Sequence, residues 1–180
     1  MKKIILVISL MISLVLCSAE KTDFIREVLA KNDGFASEGK GTTGGAGAVQ
    51  KNIFKVTNKK EFVEAIRNRK NSDPKILMIY GTIDFDTDDN GKTLKMEDYM
   101  VKGYDFQKYL ETHASKSSAS KSLKEDQEGK RGQSQKNQSK NITVHVPANT
   151  SIIGIENAKL KGVDLVLDSD NVIIRNIMLL

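Results

Sequence analysis

Short apolar runs recur through the last forty residues of the chain, and turn-forming residues separate them. The runs cover residues 142–146, 151–155, 163–167 and 172–174, and each is rich in Val and Ile. β-Branched side chains pack well on a pleated surface, whereas the Asn, Asp, Gly, Ser and Pro between the runs turn the chain. The runs are too short for helices and too close together for βαβ crossovers. They therefore predict consecutive β-strands.

The spacing of these strands predicts how they stack. Ile152 and Ile173 begin similar Ile-Ile pairs 21 residues apart, with one further run between them, and this is the length of one coil of a parallel β-helix. Asn176 continues the alternation of the last strand, so it is expected to point inward at a turn and to need amide partners from neighbouring coils. An antiparallel meander with an ordinary turn asparagine explains the same spacing, and the spacing alone leaves both open.

The first half of the chain carries a mixture of helical and strand patterns. Residues 22–31 have apolar positions at helical spacing and predict a short helix that ends before Asn32. Residues 52–56 predict a strand, and Asn58 with Glu61 resembles a capping box that opens a helix with an apolar face. Because an open coil stack must hide its terminal layer, this helix is expected to cover the end of the stack. Residues 76–80 form a continuous apolar run, which is typical of a strand buried on both sides.

A long insertion is expected at about residues 85–140. Residues 96–111 have apolar positions at helical spacing, and Gly103 divides them into two short helical pieces. Residues 112–140 are rich in Ser, Lys, Gln and Glu, with Leu123 as the only large apolar residue. This composition predicts a solvated and partly helical excursion.

The N-terminus predicts export. Lys2 and Lys3 precede an apolar run over residues 4–16, and a small-residue site ends at Ala19, so residues 1–19 are interpreted as a signal peptide. The one cysteine, Cys17, lies inside this segment, and lipidation there is a less favoured alternative because Leu16 is bulky. The mature chain is therefore expected to be secreted, soluble and free of disulfides, with no membrane segment. The net charge of the full sequence is +5 and falls to 26 − 23 = +3 once Lys2 and Lys3 are removed, which is too mild and too scattered to argue for a nucleic-acid partner.

The glycine-rich segment over residues 34–47 has two interpretations. Gly34, Gly39 and Lys40 have the spacing of a phosphate-binding loop, but Gly41 stands where the Ser or Thr is required and no strand precedes the segment. The favoured interpretation is a backbone wrapped tightly on the first coil.

Several stretches together resemble the secreted pectate lyases of the Bacillus type, a family of large parallel β-helices. They run in the family's order: NDGFA at 32–36, GTTGG at 41–45, PKILMIYGTID at 74–84, SQKNQ at 134–138, PANTSIIG at 147–154, and NVIIRNI at 171–177. The resemblance covers nearly all of the mature chain but only the first half or less of such an enzyme. It implies an all-β fold, the first coils of a right-handed parallel β-helix, with an N-terminal capping helix and a partly helical insertion.

The resemblance also implies a chemistry. Pectate lyases cleave polygalacturonate by β-elimination, in which calcium binds the uronate carboxylate and an arginine removes the neighbouring proton. The family's motifs for these roles lie in later coils, so the calcium ligands are expected beyond Leu180 and no catalytic, cofactor-binding or metal residue is assigned in this chain. Arg175 belongs to a structural motif, and His113 and His145 are expected at the surface or in strand packing. The complete protein is expected to be a monomer acting on pectate.

One stretch does match a metal pattern. Asp86, Asp88, Asn90 and Glu97 fall at ligand positions of an EF-hand calcium loop, with Gly91 at the required glycine. The preceding residues predict a strand rather than a helix, however, and Thr93 replaces the usual apolar residue. A solvated acidic turn is the alternative, and the sequence leaves both open.

Two functions remain. The favoured one is the N-terminal part of a pectate lyase, with the polypeptide continuing past Leu180 and with no activity of these residues alone. The alternative is a noncatalytic secreted carbohydrate-binding or surface β-helix module. The absence of Trp and the aromatic content of 6% disfavour this alternative, because sugar-binding modules expose aromatic side chains.

Overall fold

The structure, a computed structural model, describes residues 24–67, 73–114 and 118–180. The proposed signal peptide lies outside these residues. The helices are α1 (Lys59–Arg67), α2 (Met96–Tyr99), α3 (Phe106–His113) and α4 (Lys121–Ile142). The strands are β1 (Ile53–Val56), β2 (Lys75–Asp84), β3 (Thr143–His145), β4 (Thr150–Lys161), β5 (Asp164–Val166), β6 (Val172–Arg175) and β7 (Met178–Leu179). Single 3-10 turns occupy Phe35–Ser37 and Gln50–Asn52.

All of the strands named above pair in parallel, which confirms the coil prediction against the antiparallel meander. One sheet has the order β1-β2-β4-β6, with β7 added beside β4, and a second sheet pairs β3 with β5. The pairing of the long strands β2 and β4 changes register between Tyr80 and Thr82 of β2. Each of the two strands therefore takes part in two successive stacks. The first halves of β2 and β4 stack between β1 and β6, and β7 continues the stack of their second halves. Strands β3 and β5 form the third stack of the parallel β-helix.

The register of the last coil differs by one residue from the predicted repeat. Ile152 pairs with Ile174 and Ile153 pairs with Arg175, so the repeat is 22 residues and not 21. A shift of one residue matters because it moves every side chain to the other face of a sheet. The offset follows from the turns before the two strands. Asn149 and Asn171 both have positive φ, of 56° and 59°, and begin each coil at the same point of the turn.

The asparagine contact between coils is real but involves different residues from the predicted one. Asn171 Nδ2 donates to Asn149 Oδ1 at 2.6 Å, and Asn171 Oδ1 accepts from the backbone N–H of Gly44 at 2.7 Å. Asn176 is exposed and donates to the carbonyl oxygen of Gly154 at 2.7 Å. The prediction that Asn176 points inward was therefore wrong, because its positive φ of 58° ends the alternation of β6.

The core lies between the three stacks. Fully buried side chains from β2, β4 and the adjoining turns fill it, including Leu77, Ile79, Ile83, Phe85 and Ile152. A second apolar cluster covers the opposite face of β2 and β4, where Ile76, Ile153 and Ile155 pack against Ile25 and Ala48. Strand β2 is thus covered on both faces, as its continuous apolar run predicts.

The glycine-rich segment lies against this second face. Gly45 N donates to Ser151 Oγ at 2.8 Å, and a Cβ atom at Gly45 would lie 1.9 Å from the carbonyl oxygen of Lys75. The prediction of a tightly wrapped glycine backbone is confirmed at this position. The helix predicted over residues 22–31 is largely wrong, because helical backbone among the described residues covers only 24–26. Residues 22 and 23 lie outside the description.

Helix α1 buries Phe62, Ala65 and Ile66 against the core, with the Phe62 ring meeting Phe85 edge-on at 5.2 Å. Burial of one such phenylalanine stabilises the fold by about 1.5–3 kcal/mol. The predicted start of the helix is confirmed, since Asn58 Oδ1 accepts from Glu61 N at 3.0 Å.

The insertion between β2 and β3 is more ordered than its composition predicts. Gly103, with a φ of 82°, separates the short helices α2 and α3 as expected. The polar segment that follows forms the 22-residue helix α4, which ends at Ile142 where a strand was predicted. Helix α4 presents a polar stripe at a spacing of seven residues, Gln127, Ser134 and Asn141, and Gln127 is 1% exposed. Polar contacts to neighbouring backbone therefore dock this helix, not an apolar face.

Candidate functional site

The acidic stretch after β2 forms a hairpin. Thr87 and Thr93 make an antiparallel bridge, and a turn over residues 88–91 connects them. Asp88 Oδ1 accepts from the backbone N–H groups of Asn90 and Lys92, both at 2.9 Å. An EF-hand requires a helix before its loop, whereas here the chain enters from strand β2.

The oxygen atoms of this stretch do not form a metal site. Asp86 Oδ1 accepts from the Tyr99 hydroxyl at 3.2 Å, Asp88 closes the turn, and Glu97 is exposed in α2. Over residues 24–67, 73–114 and 118–180, no group of three or more His, Cys, Asp or Glu side chains is arranged to hold a metal ion. The residues described here therefore do not fit a calcium ion.

Lys59, on the first turn of α1, supplies a cation to the hairpin instead. Its ammonium group donates to the carbonyl oxygens of Phe85 at 2.9 Å and Thr87 at 2.6 Å, and to Asn141 Oδ1 at 2.6 Å. Asn141 Nδ2 donates to the same two carbonyls and, at 2.7 Å, to the Tyr99 hydroxyl. Burial lowers the pKa of Lys59, and the negative charges of Asp89, Asp86 and Asp88 in the hairpin and of Asp84 at the end of β2 oppose that shift. The Lys59 ammonium group thus joins α1 to the start of the insertion, at Phe85 and Thr87, and to its end, at Asn141.

The histidines and the coil arginine make ordinary structural contacts. His145 Nδ1 lies 2.8 Å from Asp168 Oδ2, and both side chains are more than half exposed. His113 lies against the Tyr109 ring, with centroids 4.4 Å apart. Arg175 contacts Glu27 at 3.0 Å and the ring of Phe24, which ties the N-terminal segment to β6. The expectation of a structural role for Arg175 agrees with these contacts.

A pocket of about 440 Å³ lies within the insertion, between the α2–α3 segment and α4. The Tyr104 and Tyr109 rings stand 6.2 Å apart at an angle of 59°, and Phe106 is 44% exposed beside them. Arg131 lies over the Tyr109 ring at 6.0 Å. The other lining residues come from these segments and from the acidic hairpin and the residues that follow it: Asp86, Leu94, Lys95, Met96, Tyr99, Met100, Ser134, Gln135 and Gln138.

An ion pair and hydrogen bonds of Arg131 fix the side of the pocket that α4 forms. Arg131 binds Glu128 through two hydrogen bonds of 2.6 and 2.9 Å, and it donates to Gln135 Oε1 at 3.1 Å. The Glu128 contact raises the pKa of Arg131 above its already high value, so the guanidinium group stays charged. Burial raises the pKa of Tyr104, and its neighbour Tyr109 adds to that shift. Its phenol is therefore neutral at physiological pH.

Sequence reasoning did not identify this pocket. It expected the residues that form α4 to be a solvated and partly helical excursion. The sequence feature that indicates a docked helix here is the spacing of seven residues among Gln127, Ser134 and Asn141, because residues seven apart share one helix face.

The stacked parallel strands, the core between them and the capping helix define a protein of the parallel β-helix class. A pectate lyase family model matches residues 3–100 of the chain. The chain belongs to the pectate lyase family.

Known relatives extend this comparison along the whole chain. The pectate lyase of Bacillus subtilis (strain 168) is 41% identical over 178 residues, which is 98% of this chain and 42% of the relative. The structure of a mutant Bacillus subtilis pectate lyase superposes with a TM-score of 0.78 at 41% identity, covering 87% of this chain and 40% of that one. A structure of a pectate lyase bound to a hexasaccharide gives a TM-score of 0.79 at 41% identity with the same coverage. The chain therefore spans about two fifths of the length of the proteins it matches.

None of the helices in the part of the chain that the structure describes is both long and apolar enough to cross a bilayer.

Proposed function

We propose that this chain forms the first coils of a secreted pectate lyase, and that the whole polypeptide cleaves polygalacturonate by β-elimination. The observation that carries this proposal is the identity of 41% maintained over 178 residues to the Bacillus subtilis pectate lyase. Similar solved structures include a polygalacturonate lyase and a pectate lyase bound to a hexasaccharide. These names support an acidic polysaccharide as the substrate class.

The catalytic ligands belong, in this proposal, to parts of the polypeptide other than the described residues. The acidic hairpin does not fit calcium, and Arg175, the arginine of the last coil, is engaged with Glu27 and Phe24. Calcium dependence is thus proposed for the whole protein. The 180-residue chain alone is expected to give no turnover of polygalacturonate, with or without calcium.

A chimera tests the proposal directly. Residues 20–180 replace the matching N-terminal segment of the Bacillus subtilis pectate lyase, and ultraviolet absorbance follows the unsaturated product. We expect calcium-dependent turnover, because the coils of this chain should continue into those of the relative. The matched control carries Gly45→Val, which places a side chain against the Lys75 carbonyl and should disrupt the first coil. A folded chimera without turnover, prepared beside an active relative, would refute the proposal and favour the noncatalytic module.

Export is a second part of the proposal. The basic and apolar N-terminus supports signal cleavage after Ala19, which leaves a monomeric protein outside the cell with Cys17 removed. N-terminal sequencing of secreted material should begin at Glu20. Material beginning at Met1, or lipidated at Cys17, would contradict it.

A further inference from the structure

The glycine-rich segment crosses the outer face of the coil stack from one coil to the next. Gly45 lies against β2, where a Cβ atom would come within 1.9 Å of the Lys75 carbonyl oxygen. The residue before it, Gly44, lies against β4, where a Cβ atom would come within 2.4 Å of Ser151 Oγ. Because only glycine has room at such close approaches, the path of the backbone across the coils is fixed. Followed towards the N-terminus, the chain therefore moves away from the first coil.

Both ends of the loop formed by residues 28–42 are attached to β6, the last strand in the order of its sheet. At one end Thr43 N donates to Asn171 Oδ1 at 2.7 Å, directly before β6 begins. At the other end Arg175 of β6 contacts Glu27 Oε2 at 3.0 Å. Since the segment has already crossed β2 and β4 when it reaches Asn171, the loop between these attachments extends past β6. Residues 28–42 are called the overhanging loop below.

The overhanging loop is held together by its own hydrogen bonds. Thr42 N donates to the Ala36 carbonyl oxygen at 2.7 Å, which closes the turn around Phe35–Ser37. A hollow of about 250 Å³ lies between residues 28–32 and residues 37–43. Compact loops whose ends lie close together have a shape of their own and are frequently functional. The hollow is therefore a preformed feature into which a neighbouring side chain can pack.

The overhanging loop exposes apolar side chains. Phe35 is 96% exposed, Leu29 49% and Val28 41%. Single exposed apolar residues are ordinary on a protein surface, but three of them on one short loop indicate a surface that another protein segment covers. The charged residues of the loop balance each other and select no charged partner: Lys31, Lys40, Asp33 and Glu38.

The strand beside the loop has a free edge. Among the described residues β6 pairs only with β4, so its other edge is open to a further parallel strand, and open edges recruit strands. Ile173 packs on the outer face of the sheet, and Arg175 contacts the N-terminal segment on that same face. A strand added to β6 would place its outward side chains next to these two residues, where the overhanging loop extends.

We propose that the overhanging loop is a docking surface for the coil that stacks next on β6, and that Val28, Leu29 and Phe35 cover an apolar outward side chain of that coil. The proposal rests on the function proposed above, which supplies further coils of the same polypeptide. The length of the Bacillus subtilis relative allows for such coils, because this chain covers 42% of it. The loop thus joins the N-terminal segment to a part of the stack that β1, β2 and β4 do not reach.

An introduced thiol reports directly on this contact, because residues 20–180 contain no cysteine. Phe35→Cys is made in the full chain and in the chimera with the Bacillus subtilis pectate lyase, and peptide mass spectrometry follows alkylation at position 35. We expect fast alkylation in the full chain and alkylation slower by about tenfold or more in the chimera, where the next coil covers the loop. Equal rates in the two proteins would overturn the proposal.

The matched control for labelling is Val49→Cys. Val49 is 55% exposed and lies before β1, at the opposite end of the stack. Position 49 should therefore be alkylated equally fast in the full chain and in the chimera. Slower alkylation at both positions of the chimera would show general shielding and would overturn a specific contact at the loop.

Unfolding of the same two proteins gives a second measurement. Phe35→Ala should leave the denaturation midpoint of the full chain unchanged, because the ring makes little contact there. In the chimera the same change should raise the unfolding equilibrium constant roughly tenfold to a hundredfold, because a buried ring is lost. Val49→Ala should change neither protein. An unaffected chimera, or an equal loss in the full chain, would contradict the docking.

The remaining outcomes separate this proposal from others. If alkylation at position 35 of the full chain slows as its concentration rises and sedimentation shows a dimer, a second copy of the chain covers the loop and the proposal is wrong. An active chimera that is unprotected at position 35 would remove the docking surface and leave the lyase. A folded but inactive chimera that is protected at position 35 would retain the docking surface and remove the lyase.

Discussion

Replacing Lys59 by methionine measures what a single ammonium group contributes to the attachment of the insertion. Methionine has a similar length but no donor, so the substitution removes the three hydrogen bonds to Phe85, Thr87 and Asn141. A hydrogen bond to a charged group contributes roughly 1.5–3 kcal/mol, so three such bonds set an upper bound of about 4.5–9 kcal/mol, well above the expected net loss.

Two compensations reduce that bound. Asn141 Nδ2 still donates to the Phe85 carbonyl at 3.1 Å and the Thr87 carbonyl at 3.2 Å, so neither oxygen loses every partner. The variant also avoids the cost of burying an ammonium group, which is the cost that lowers the pKa of Lys59. We therefore expect local opening of the insertion to become easier by about 2–3 kcal/mol, or roughly 30- to 150-fold in its equilibrium constant.

Native-state proteolysis provides the assay. When reclosing is fast, the cleavage rate within α4 reports the population of the open state. Trypsin cleavage in α4, followed by mass spectrometry in the full chain and in the chimera, should accelerate by that factor for Lys59→Met. Lys60→Met is the matched control, because Lys60 is the next residue on the same turn and is exposed. Equal cleavage rates for the two variants would refute the reasoning.

Two other predictions concern the coils and the cap helix. Gly45→Val places a side chain about where the Lys75 carbonyl lies, so it should lower the midpoint of chemical unfolding by the equivalent of roughly 3 kcal/mol or more. Gly47→Ala, whose Cβ atom would have 3.9 Å of clearance, should leave the midpoint nearly unchanged. Hydrogen bonds from the backbone and hydroxyl of Thr57 hold the pKa of Glu61 below its usual 4.5, so the stability it contributes is present above pH 4.5 and is lost as the pH falls through the lower folded-state pKa. Thermal melts at several pH values should therefore show a smaller acid-induced loss for Glu61→Gln than for wild type, and a wild-type loss for Glu64→Gln.

The strands could be predicted from the sequence because their burial repeats locally. Val and Ile at alternating or continuous positions indicate a half-buried or fully buried strand, and this pattern located β1, β6 and the first half of β2 closely. The one-residue error in register has a different origin. The Ile-Ile pairs that begin at Ile152 and Ile173 look equivalent in the sequence. The left-handed backbone at Asn149 and Asn171, however, sets where each strand starts. Backbone conformation at turns therefore fixes a register that hydrophobic periodicity leaves ambiguous by one residue.

Helix α4 shows why the insertion and its pocket were not predicted. Periodicity methods look for apolar side chains, and α4 has almost none, so its composition indicates a solvated segment. The helix docks because Gln127, Ser134 and Asn141 reach backbone groups that no strand or helix satisfies, such as Val101 N, which donates to Ser134 Oγ at 3.0 Å. Buried backbone groups need such partners, so a polar stripe can direct packing as an apolar stripe does. The same helix places Arg131 over the Tyr109 ring, so a charged side chain and not an apolar one lies against the aromatic side of the pocket.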